Sequence, residues 1–488
     1  MKIILNGKIN RTYVQSLCMM FFHGIKFPLD DNASDDLELY VEAIEKGSEI
    51  CCKACLKGNA KESEAEATCS VSNKDSLDKT YKKVVGQAVF LVGERFTGKR
   101  IDWGILSGIR PSKVVSDLLE KYTEKEVIQI LKTEYFLSES KAELVTEVAK
   151  NEMGIVNSTN LTECSIYISI PFCPSRCAYC SFISYAGKKL FSLIPSYIEK
   201  LVLDIKEASL MIKENKLFLK SIYIGGGTPT ILSSNQLEKL LSVINECFDV
   251  NELAEFTLEG GRPDTITDEK LFIAKKYGVT RISVNPQTLN DRVLEKIGRK
   301  HTVKDFLEAY EKVKESNIKF INTDLIAGLD DDSFDSFKKT VDTIIELDPD
   351  NVTVHSFCVK KSAQVLEDDK TVYSRENSYA RDSVDYAYKA LSEKGYFPYY
   401  MYRQKNTVEN LENVGYAKKD SVGLYNVFMM SDAHSVFGIG AGATTKLIKS
   451  NELGEKKLLR IFSPKYPYEY LRENQNIKER VKDFFEKE

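Results

Sequence analysis

The 488-residue chain lacks long apolar runs, has only four histidines and carries almost no excess charge. No window approaches the roughly 20 apolar residues that span a bilayer, and polar residues follow Leu5 at once, so neither a membrane span nor a secretory signal is predicted. A net charge of −4 gives no electrostatic reason to expect a nucleic acid or an anionic membrane as partner. We therefore expect a cytoplasmic protein, monomeric, with no nucleic-acid or membrane partner.

The composition is that of a globular protein, with 43% hydrophobic and 29% charged residues. A chain of this length favours two or three domains. We predict an α/β accessory domain over residues 1–160, a barrel-like domain over 161–375 and a C-terminal, substrate-side extension over 376–488. Residues 46–79 are rich in Lys, Glu, Ser and Ala, which predicts a solvated, mobile insertion.

From residue 165 onward, short β-branched runs alternate with helical patterns. Such alternation predicts parallel strands joined by crossover helices. The predicted strands are Ser165–Ile170, Ser221–Gly225, Glu255–Glu259, Arg281–Asn285, Phe320–Ile326 and Asn351–Ser356. Six units suggest a partial (β/α)6 TIM-like barrel, and polar or glycine residues follow the strands, at the rim where barrels build active sites.

Three of the eleven cysteines, Cys173, Cys177 and Cys180, lie within eight residues directly after the first of these strands. Soft thiolates select zinc, Cu(I) or iron–sulfur clusters. A structural zinc site is closed by four ligands, whereas a cluster with three protein ligands leaves one iron open to a substrate or cofactor. The alternative interpretation is three buried or zinc-bound cysteines in a loop.

The spacing Cys-x3-Cys-x2-Cys, with Tyr179 before the third cysteine, resembles the signature of the radical S-adenosylmethionine (SAM) superfamily. The stretches Tyr167–Cys173 and Tyr179–Phe182 resemble the oxygen-independent coproporphyrinogen III oxidases, also called coproporphyrinogen dehydrogenases, and especially their HemZ-type members. One departure is Ser169, where many relatives carry His. The resemblance implies a partial barrel and a [4Fe–4S] cluster held by the three cysteines. At its open iron, one electron cleaves SAM to a 5′-deoxyadenosyl radical.

The resemblance also implies a set of SAM-binding residues. The segment Gly225–Thr230 resembles the Gly-Gly-Gly-Thr-Pro segment that meets the amino group of SAM. Positions that contact the cluster-bound SAM are matched by Tyr167, Gly226 and Glu259, and Tyr167 joins the three cysteines as a catalytic candidate. Positions that contact this SAM or a second SAM molecule are matched by Tyr179, Gly227, Thr228, Gln287, Arg299, Asp324, Cys358 and Thr444.

The implied reaction is oxidative decarboxylation of two propionates of coproporphyrinogen III to vinyl groups, which gives protoporphyrinogen IX. A flavodoxin- or ferredoxin-type electron donor and an unidentified acceptor are implied partners. Propionates call for cationic and amide donors, so the substrate-binding candidates are Arg262, Arg403, Lys405 and Asn406, unless these are surface charges or structural donors. The alternatives are a haem-binding chaperone of the same branch, or another radical SAM enzyme that methylates porphyrins or opens the haem ring.

Two further groups have weaker signals. Cys51, Cys52, Cys55 and Cys69 could bind zinc or a second cluster, although exposed loop thiols are the simpler interpretation. The histidines, His23, His301, His355 and His434, show no metal-ligand spacing. His355 ends a strand on the expected rim and could lie near the substrate, although a satisfied core or rim histidine is the simpler interpretation.

Overall fold

The computed structural model describes residues 1–22, 25–28, 36–58, 60–71, 76–180, 187–358, 379–404, 407–450, 455–473 and 476–486. Two compact units are formed. Among the described residues, the first unit contains residues up to 150 together with 402–412, and the second contains the remainder. Residues 402–412 thus join the first unit, although the sequence places them in the C-terminal extension.

The first unit is built on a four-stranded sheet in the order β1-β2-β3-β4. Strands β1 and β2 are parallel, and the other pairs are antiparallel. The strands are β1 (Lys2–Asn6), β2 (Leu37–Lys46), β3 (Glu49–Gly58) and β4 (Lys61–Ser70). The helices are α1 (Arg11–Phe21), α2 (Leu77–Thr97), α3 (Pro111–Leu119), α4 (Glu124–Thr133) and α5 (Glu139–Asn157). Buried side chains of α1, α2 and one sheet face form a single core.

The predicted solvated insertion at residues 46–79 is wrong, because most of it forms β3 and β4. On β3, Cys52, Ala54 and Leu56 are buried on one face. On the other face, Lys53 pairs with Glu64 at 3.0 Å. Small apolar residues alternate with charged ones, which is the pattern of a half-buried strand, and average composition conceals that alternation.

A buried charge pair ties residues 402–412 into the first unit. Lys141 Nζ lies 2.7 Å from Glu412 Oε1, and the two side chains are only 1% and 2% exposed. Trp103 Nε1 donates to the other oxygen of Glu412 at 2.7 Å. Arg403 lies over the Trp103 ring, 4.8 Å from its centroid, and donates to the carbonyls of Leu106 and Asn410.

The second unit is built on an eleven-stranded sheet that contains the six predicted parallel strands in chain order. They are β5 (Glu163–Ile170), β6 (Phe218–Gly226), β7 (Glu255–Glu259), β8 (Arg281–Ser283), β9 (Phe320–Ala327) and β10 (Asn351–Ser356). All five neighbouring pairs are parallel. Six consecutive parallel strands in one sheet agree with the prediction, and among the described strands the sheet does not close on itself. The partial (β/α)6 architecture is therefore confirmed.

Further elements surround these strands. The helices before β11 are α6 (Lys188–Phe191), α7 (Ile194–Glu214), α8 (Ser234–Cys247), α9 (Asp268–Lys276), α10 (Asp291–Lys296), α11 (Val303–Glu315), α12 (Phe334–Leu347) and α13 (Ala380–Glu393). The C-terminal elements are β11 (Phe397–Arg403), β12 (Glu412–Ala417), α14 (Leu424–Met430), β13 (Ser435–Ile439), β14 (Thr444–Ser450), β15 (Lys456–Phe462), α15 (Pro467–Arg472) and α16 (Ile477–Glu486). No helix in the described part of the chain is long and apolar enough to cross a membrane.

The parallel strands have one aliphatic face and one polar face. Ile166, Ile222 and Ile282 belong to the fully buried aliphatic face. On the opposite face, Tyr167 pairs in register with Tyr223, and Glu259 pairs with Ser283. Because side chains alternate along a strand, the polar residues of neighbouring strands gather on one surface.

Candidate active site

The three-cysteine loop follows β5 and is fixed by neighbouring loops. Cys173 and Cys177 are buried, and Cys180 is half-buried. Thr228 N–H donates to Phe172 O at 2.8 Å, and Ala178 N–H donates to Ile297 O at 3.0 Å. The loop is therefore held by the segments that follow β6 and α10.

Two sulfur atoms of this loop accept hydrogen bonds. Thr228 Oγ1 donates to Cys173 Sγ at 3.4 Å. Arg262 Nη1 donates to Cys177 Sγ at 3.4 Å, and Arg262 Nη2 donates to Ser175 Oγ at 3.0 Å. Arg262 Nε also lies 3.2 Å from Asp264 Oδ1, and the residue is 3% exposed. Three donors of this guanidinium are thus occupied by protein atoms.

The glycine run after β6 packs directly on the loop. A Cβ atom at Gly227 would lie 2.6 Å from Phe172 O and 2.9 Å from Cys173 Sγ. A Cβ atom at Gly225 would lie 2.8 Å from Glu259 Oε2, and Gly226 has a φ of +110°. Each close approach excludes a larger residue. These glycines bring the end of β6 against both the cysteines and Glu259.

Glu259 ends β7 beside a cluster of three tyrosines. Its carboxylate accepts hydrogen bonds from the Tyr223 hydroxyl and, at 3.2 Å, from Gly226 N–H. Tyr425 of α14 stacks on Tyr223 and on Tyr167, with ring centroids 4.5 Å and 5.9 Å apart. Burial raises the pKa of Glu259 to about 7, although these two hydrogen bonds oppose the rise.

Asp324 on β9 is the second carboxylate of this face. It accepts from Asn285 Nδ2 at 2.7 Å and from Asn322 Nδ2 at 2.9 Å, and it lies 4.0 Å from His355 Nε2. Burial favours its neutral form, but His355 and the amide donors outweigh burial and lower the pKa of Asp324 below its usual value. Gln287, with a φ of +71°, is fixed by its N–H to Asp324 O at 3.1 Å.

Arg299 links the cysteine loop to the strand ends. Its Nη2 donates to the Tyr179 hydroxyl at 3.1 Å, and its Nη1 donates to Asn285 O at 2.6 Å. In the described part of the chain, Arg299 Nε and the Tyr425 hydroxyl are buried and have no hydrogen-bond partner. Buried polar groups are normally satisfied, so both are suited to a bound polar ligand.

The residues present fit a cluster with bound SAM. Three cysteines on one fixed loop provide the thiolate donor set. Gly227 leaves no side chain over Cys173, and the adjacent polar surface offers Glu259, Asp324 and the unsatisfied Arg299 Nε. SAM carries an ammonium, a carboxylate and a ribose diol, which suit carboxylate and guanidinium partners.

The remaining predicted SAM positions lie at the edges of this surface. Cys358 is half-buried and lies two residues beyond β10. Thr444 begins β14, and a Cβ atom at Gly438 would come within 2.6 Å of its backbone. Gly438 pairs in register with Tyr167. Ser169, the departure from the family pattern, donates to Ala441 O at 2.8 Å.

Two of the predicted substrate residues, Arg262 and Arg403, lie in the described part of the chain, and each contacts protein groups. Arg262 contacts the cysteine loop, whereas Arg403 belongs to the first unit and donates to Leu106 and Asn410. Lys405 and Asn406 lie outside the described residues.

The four cysteines at 51–69 lie on β3 and β4 and do not share one face. Cys52 is on the core face with Ile50, which is paired with Cys69, while Cys51 and Cys55 project on the other face. On β3 and β4, Cys55 lies close enough to Glu62 and Glu64 for the three to share a metal ion, but both carboxylates already pair with lysines. The geometry offers no four-thiolate site.

Of the other histidines, His434 is buried and within 2.8 Å of Ser165 Oγ, and its burial lowers its pKa to about 3. His301 is also buried, and burial lowers its pKa to about 4. His23 lies outside the described residues.

Three residues of the site were missed from the sequence. Tyr223 and Asn285 lie in predicted strands. The alternation of side chains along those strands could have placed both residues on the polar face of the sheet. Tyr425 lies on α14, some 200 positions from Tyr223 and about 260 from Tyr167, and no local pattern connects it to them.

The sequence and the fold of this chain are similar to those of known radical SAM proteins. The radical SAM superfamily profile matches residues 167–344. The chain is 34% identical over 396 residues to the oxygen-independent coproporphyrinogen-III oxidase-like protein HemZ of Bacillus subtilis, covering 80% of this chain and 78% of that protein. It is 32% identical over 296 residues to the heme chaperone HemW of Lactococcus lactis, covering 59% and 72%. The radical SAM enzyme coproporphyrinogen III oxidase HemN of Escherichia coli has the same fold, with a TM-score of 0.52 and 19% identity over 67% of this chain and 72% of that one.

Proposed function

The chain belongs to the oxygen-independent coproporphyrinogen III oxidase-like family of radical SAM proteins, which bind a [4Fe–4S] cluster and SAM, and we propose that it is a coproporphyrinogen III dehydrogenase. It decarboxylates two propionates of coproporphyrinogen III oxidatively and gives protoporphyrinogen IX. The observation that carries this proposal is the fixed three-cysteine loop beside a surface of carboxylates and tyrosines. The long match to HemZ supports this substrate.

The bound cluster and SAM supply a carbon radical by one-electron cleavage of SAM. For each propionate, the substrate loses its β-hydrogen atom, CO2 and one electron, and a vinyl group remains. A flavodoxin- or ferredoxin-type donor supplies the electron for SAM cleavage, and an unidentified acceptor takes the electron that the substrate releases.

The residues of this chain bind and orient these groups. Glu259 and Asp324 would accept hydrogen bonds from bound SAM, and Arg299 would bind its carboxylate through the unsatisfied Nε. Tyr167, Tyr223 and Tyr425 present an aromatic surface that excludes water from the reacting carbon. We assign the remaining contacts with SAM to seven other residues of the predicted set: Gly226, Gly227, Thr228, Gln287, Tyr179, Cys358 and Thr444.

Arg262 and Arg403 receive different roles from those first expected. Because the guanidinium of Arg262 is engaged by Cys177, Ser175 and Asp264, we assign it to positioning of the cysteine loop. Arg403 stabilises the first unit. Lys405 and Asn406 stay the candidates for propionate binding.

The test is an anaerobic incubation of the cluster-loaded chain with SAM, dithionite and coproporphyrinogen III, followed by mass spectrometry. We expect loss of CO2 and two hydrogens per propionate, with one deoxyadenosine formed each time. Cys173→Ala abolishes the reaction, and Cys247→Ala, a half-buried cysteine of α8, leaves it intact. Deoxyadenosine without protoporphyrinogen rejects this substrate.

A haem chaperone is the second candidate, favoured by the similarity to HemW. Haem bound one to one, without turnover of coproporphyrinogen, supports it. A product that has gained a methyl group, or an opened tetrapyrrole, supports another radical SAM enzyme that acts on porphyrins.

A further inference from the structure

The first unit contains a cavity of ≈ 330 Å³ that is separate from the cysteine loop. It is lined by residues of the first four helices, α1 to α4, of the segments that join α2 to α3 and α3 to α4, and of the segment after α4. We propose that this cavity binds a small organic anion that consists of one or two apolar rings and a carboxylate group. All its lining residues lie between positions 13 and 135, so the proposal is independent of the proposed function.

Half of the eighteen residues that line the cavity are apolar or aromatic. They are Ile105, Leu106, Pro111, Val114, Leu118, Ile130, Tyr13, Tyr122 and Tyr135. Tyr13 is fixed because its hydroxyl donates to Ile105 O at 3.1 Å. A Cβ atom at Gly86 would lie 2.4 Å from that hydroxyl, so the glycine of α2 makes room for the ring. Apolar side chains of this kind suit a ring rather than an inorganic ion.

The charged residues of the lining are mainly basic. Five are basic (Lys79, Lys82, Lys83, Arg110 and Lys121) and two are acidic (Asp117 and Glu134), which leaves three positive charges in excess. This local excess contrasts with the net charge of −4 for the chain. A concave site lined by one sign of charge concentrates ions of the opposite sign.

The two acidic residues are each held by a lysine. Lys79 Nζ lies 2.8 Å from Asp117 Oδ2, and Lys83 Nζ lies 2.7 Å from Glu134 Oε2. Lys82, on the same turns of α2, lies 5.0 Å from the centroid of the Tyr13 ring. A carboxylate near Lys82 would meet a cation beside an aromatic face, with both acidic groups already neutralised.

The N-terminus of α3 adds to the positive potential. Arg110 is the N-cap residue, and Pro111 follows it. Both residues line the cavity. The first turn of a helix carries partial positive charge and favours anions. The dipole and the basic side chains therefore act in the same direction.

The size of the cavity restricts the ligand. Small-molecule sites span about 300–1,000 Å³, and ≈ 330 Å³ lies at the lower end. One or two fused rings with a carboxylate match both the volume and the charge.

The test is isothermal titration calorimetry of the cluster-loaded full chain with 2-naphthoate and with the neutral 2-naphthamide. We expect saturable binding of one naphthoate, affinity about tenfold lower for the amide, and weakening by added salt. Lys82→Glu and Lys121→Glu each lower naphthoate affinity about tenfold. The control is Lys125→Glu, an exposed residue of α4 outside the lining, which leaves binding unchanged.

A second variant, Val114→Phe, fills the cavity and abolishes binding, while thermal unfolding followed by Trp103 fluorescence reports whether each variant is folded. No heat of binding at millimolar naphthoate overturns the proposal. Equal affinity for acid and amide overturns it, and so does an equal loss in Lys125→Glu and Lys82→Glu. Cys173→Ala, which removes a cluster ligand, is expected to bind naphthoate normally.

Discussion

At the scale of single residues, the hydrogen bonds to the loop sulfurs have the most direct chemical consequence. Hydrogen bonds to cluster sulfurs and nearby charge set the reduction potential of iron–sulfur clusters. Arg262 provides both, since its cationic Nη1 lies 3.4 Å from Cys177 Sγ. Reduction adds negative charge, so this arginine stabilises the reduced form.

Replacing Arg262 by Met is expected to shift the cluster potential to a more negative value by about 60 mV, the one-electron equivalent of a tenfold change. The measurement is a redox titration followed by electron paramagnetic resonance, with iron content as the check on cluster loading. Arg292→Met, which removes an exposed charge from α10, is the matched control. Equal potentials in the two variants would contradict the positioning role.

The raised pKa of Glu259 predicts a pH dependence of SAM binding. The carboxyl group has a pKa of about 7, so it is increasingly protonated as the pH falls below that value. If SAM requires the ionised form, affinity rises with pH and falls by up to about tenfold per unit below the pKa.

Equilibrium dialysis of SAM between about pH 6 and pH 8 measures this dependence in the cluster-loaded chain. Glu259→Gln is expected to bind weakly and with a flat profile. Glu269→Gln, an exposed carboxyl of α9, keeps the wild-type slope. A wild-type affinity that does not change with pH would refute the requirement.

The sequence predicts those site residues that lie within a local motif. The three cysteines and the glycine run lie within local motifs, and the structure places Cys173 against Gly227. Arg262 was assigned to substrate because a buried arginine and an exposed one have the same sequence signal. In the structure its guanidinium contacts Cys177 and Ser175, which are more than 80 positions away in the sequence.

At the scale of elements, the buried pair of Lys141 and Glu412 joins α5 to the start of β12. Removing one member of a buried pair leaves the other charge desolvated and unpaired. This pair is therefore expected to dominate the stability of the first unit.

We expect Lys141→Met to lower the free energy of unfolding by about 3–5 kcal/mol. Urea unfolding followed by fluorescence of Trp103, the sole tryptophan and a partner of Glu412, measures the change. The control is Lys150→Met, whose pair with Glu124 is exposed and contributes little to stability because water screens it. The double variant Lys141→Met/Glu412→Leu recovers part of the loss, and equal effects of the two single variants would argue against this account.

The strands with a clear pattern of large apolar residues were predicted from the sequence, whereas β3 and β4 were not. The six parallel strands appear within a few residues of their predicted bounds, because their aliphatic faces and following turns are local signals. Strands β3 and β4 were missed because much of their core face consists of small residues such as Cys52, Ala54 and Ala65, which do not stand out among the lysines and glutamates.

At the scale of the whole molecule, the first unit is discontinuous in sequence, since residues 402–412 complete it. To fold, a fragment of residues 1–150 would have to bury Lys141 without the carboxylate of Glu412. We expect this fragment to be poorly folded, with Trp103 exposed. A peptide of residues 402–412 added in trans is expected to shift its fluorescence to the blue with saturation.

The same peptide carrying Glu412→Gln is the control and should bind more weakly, because it lacks the charge that Lys141 requires. A fragment 1–150 that already resists urea as well as the full chain would show that the unit is complete without the later segment.

The separation of Lys141 and Glu412 in the sequence also determines when, during translation, the first unit can be completed. The two residues are 271 positions apart, and a ribosome that adds about 5–20 residues per second needs roughly 10 to 50 seconds to cover that distance. During this interval the N-terminal region has been synthesised, but Glu412, the ion-pair partner of Lys141 in the folded unit, has not. The portion of the protein that is made first is thus finished late, and slow or paused translation between the two sites prolongs its exposure to chaperones and proteases.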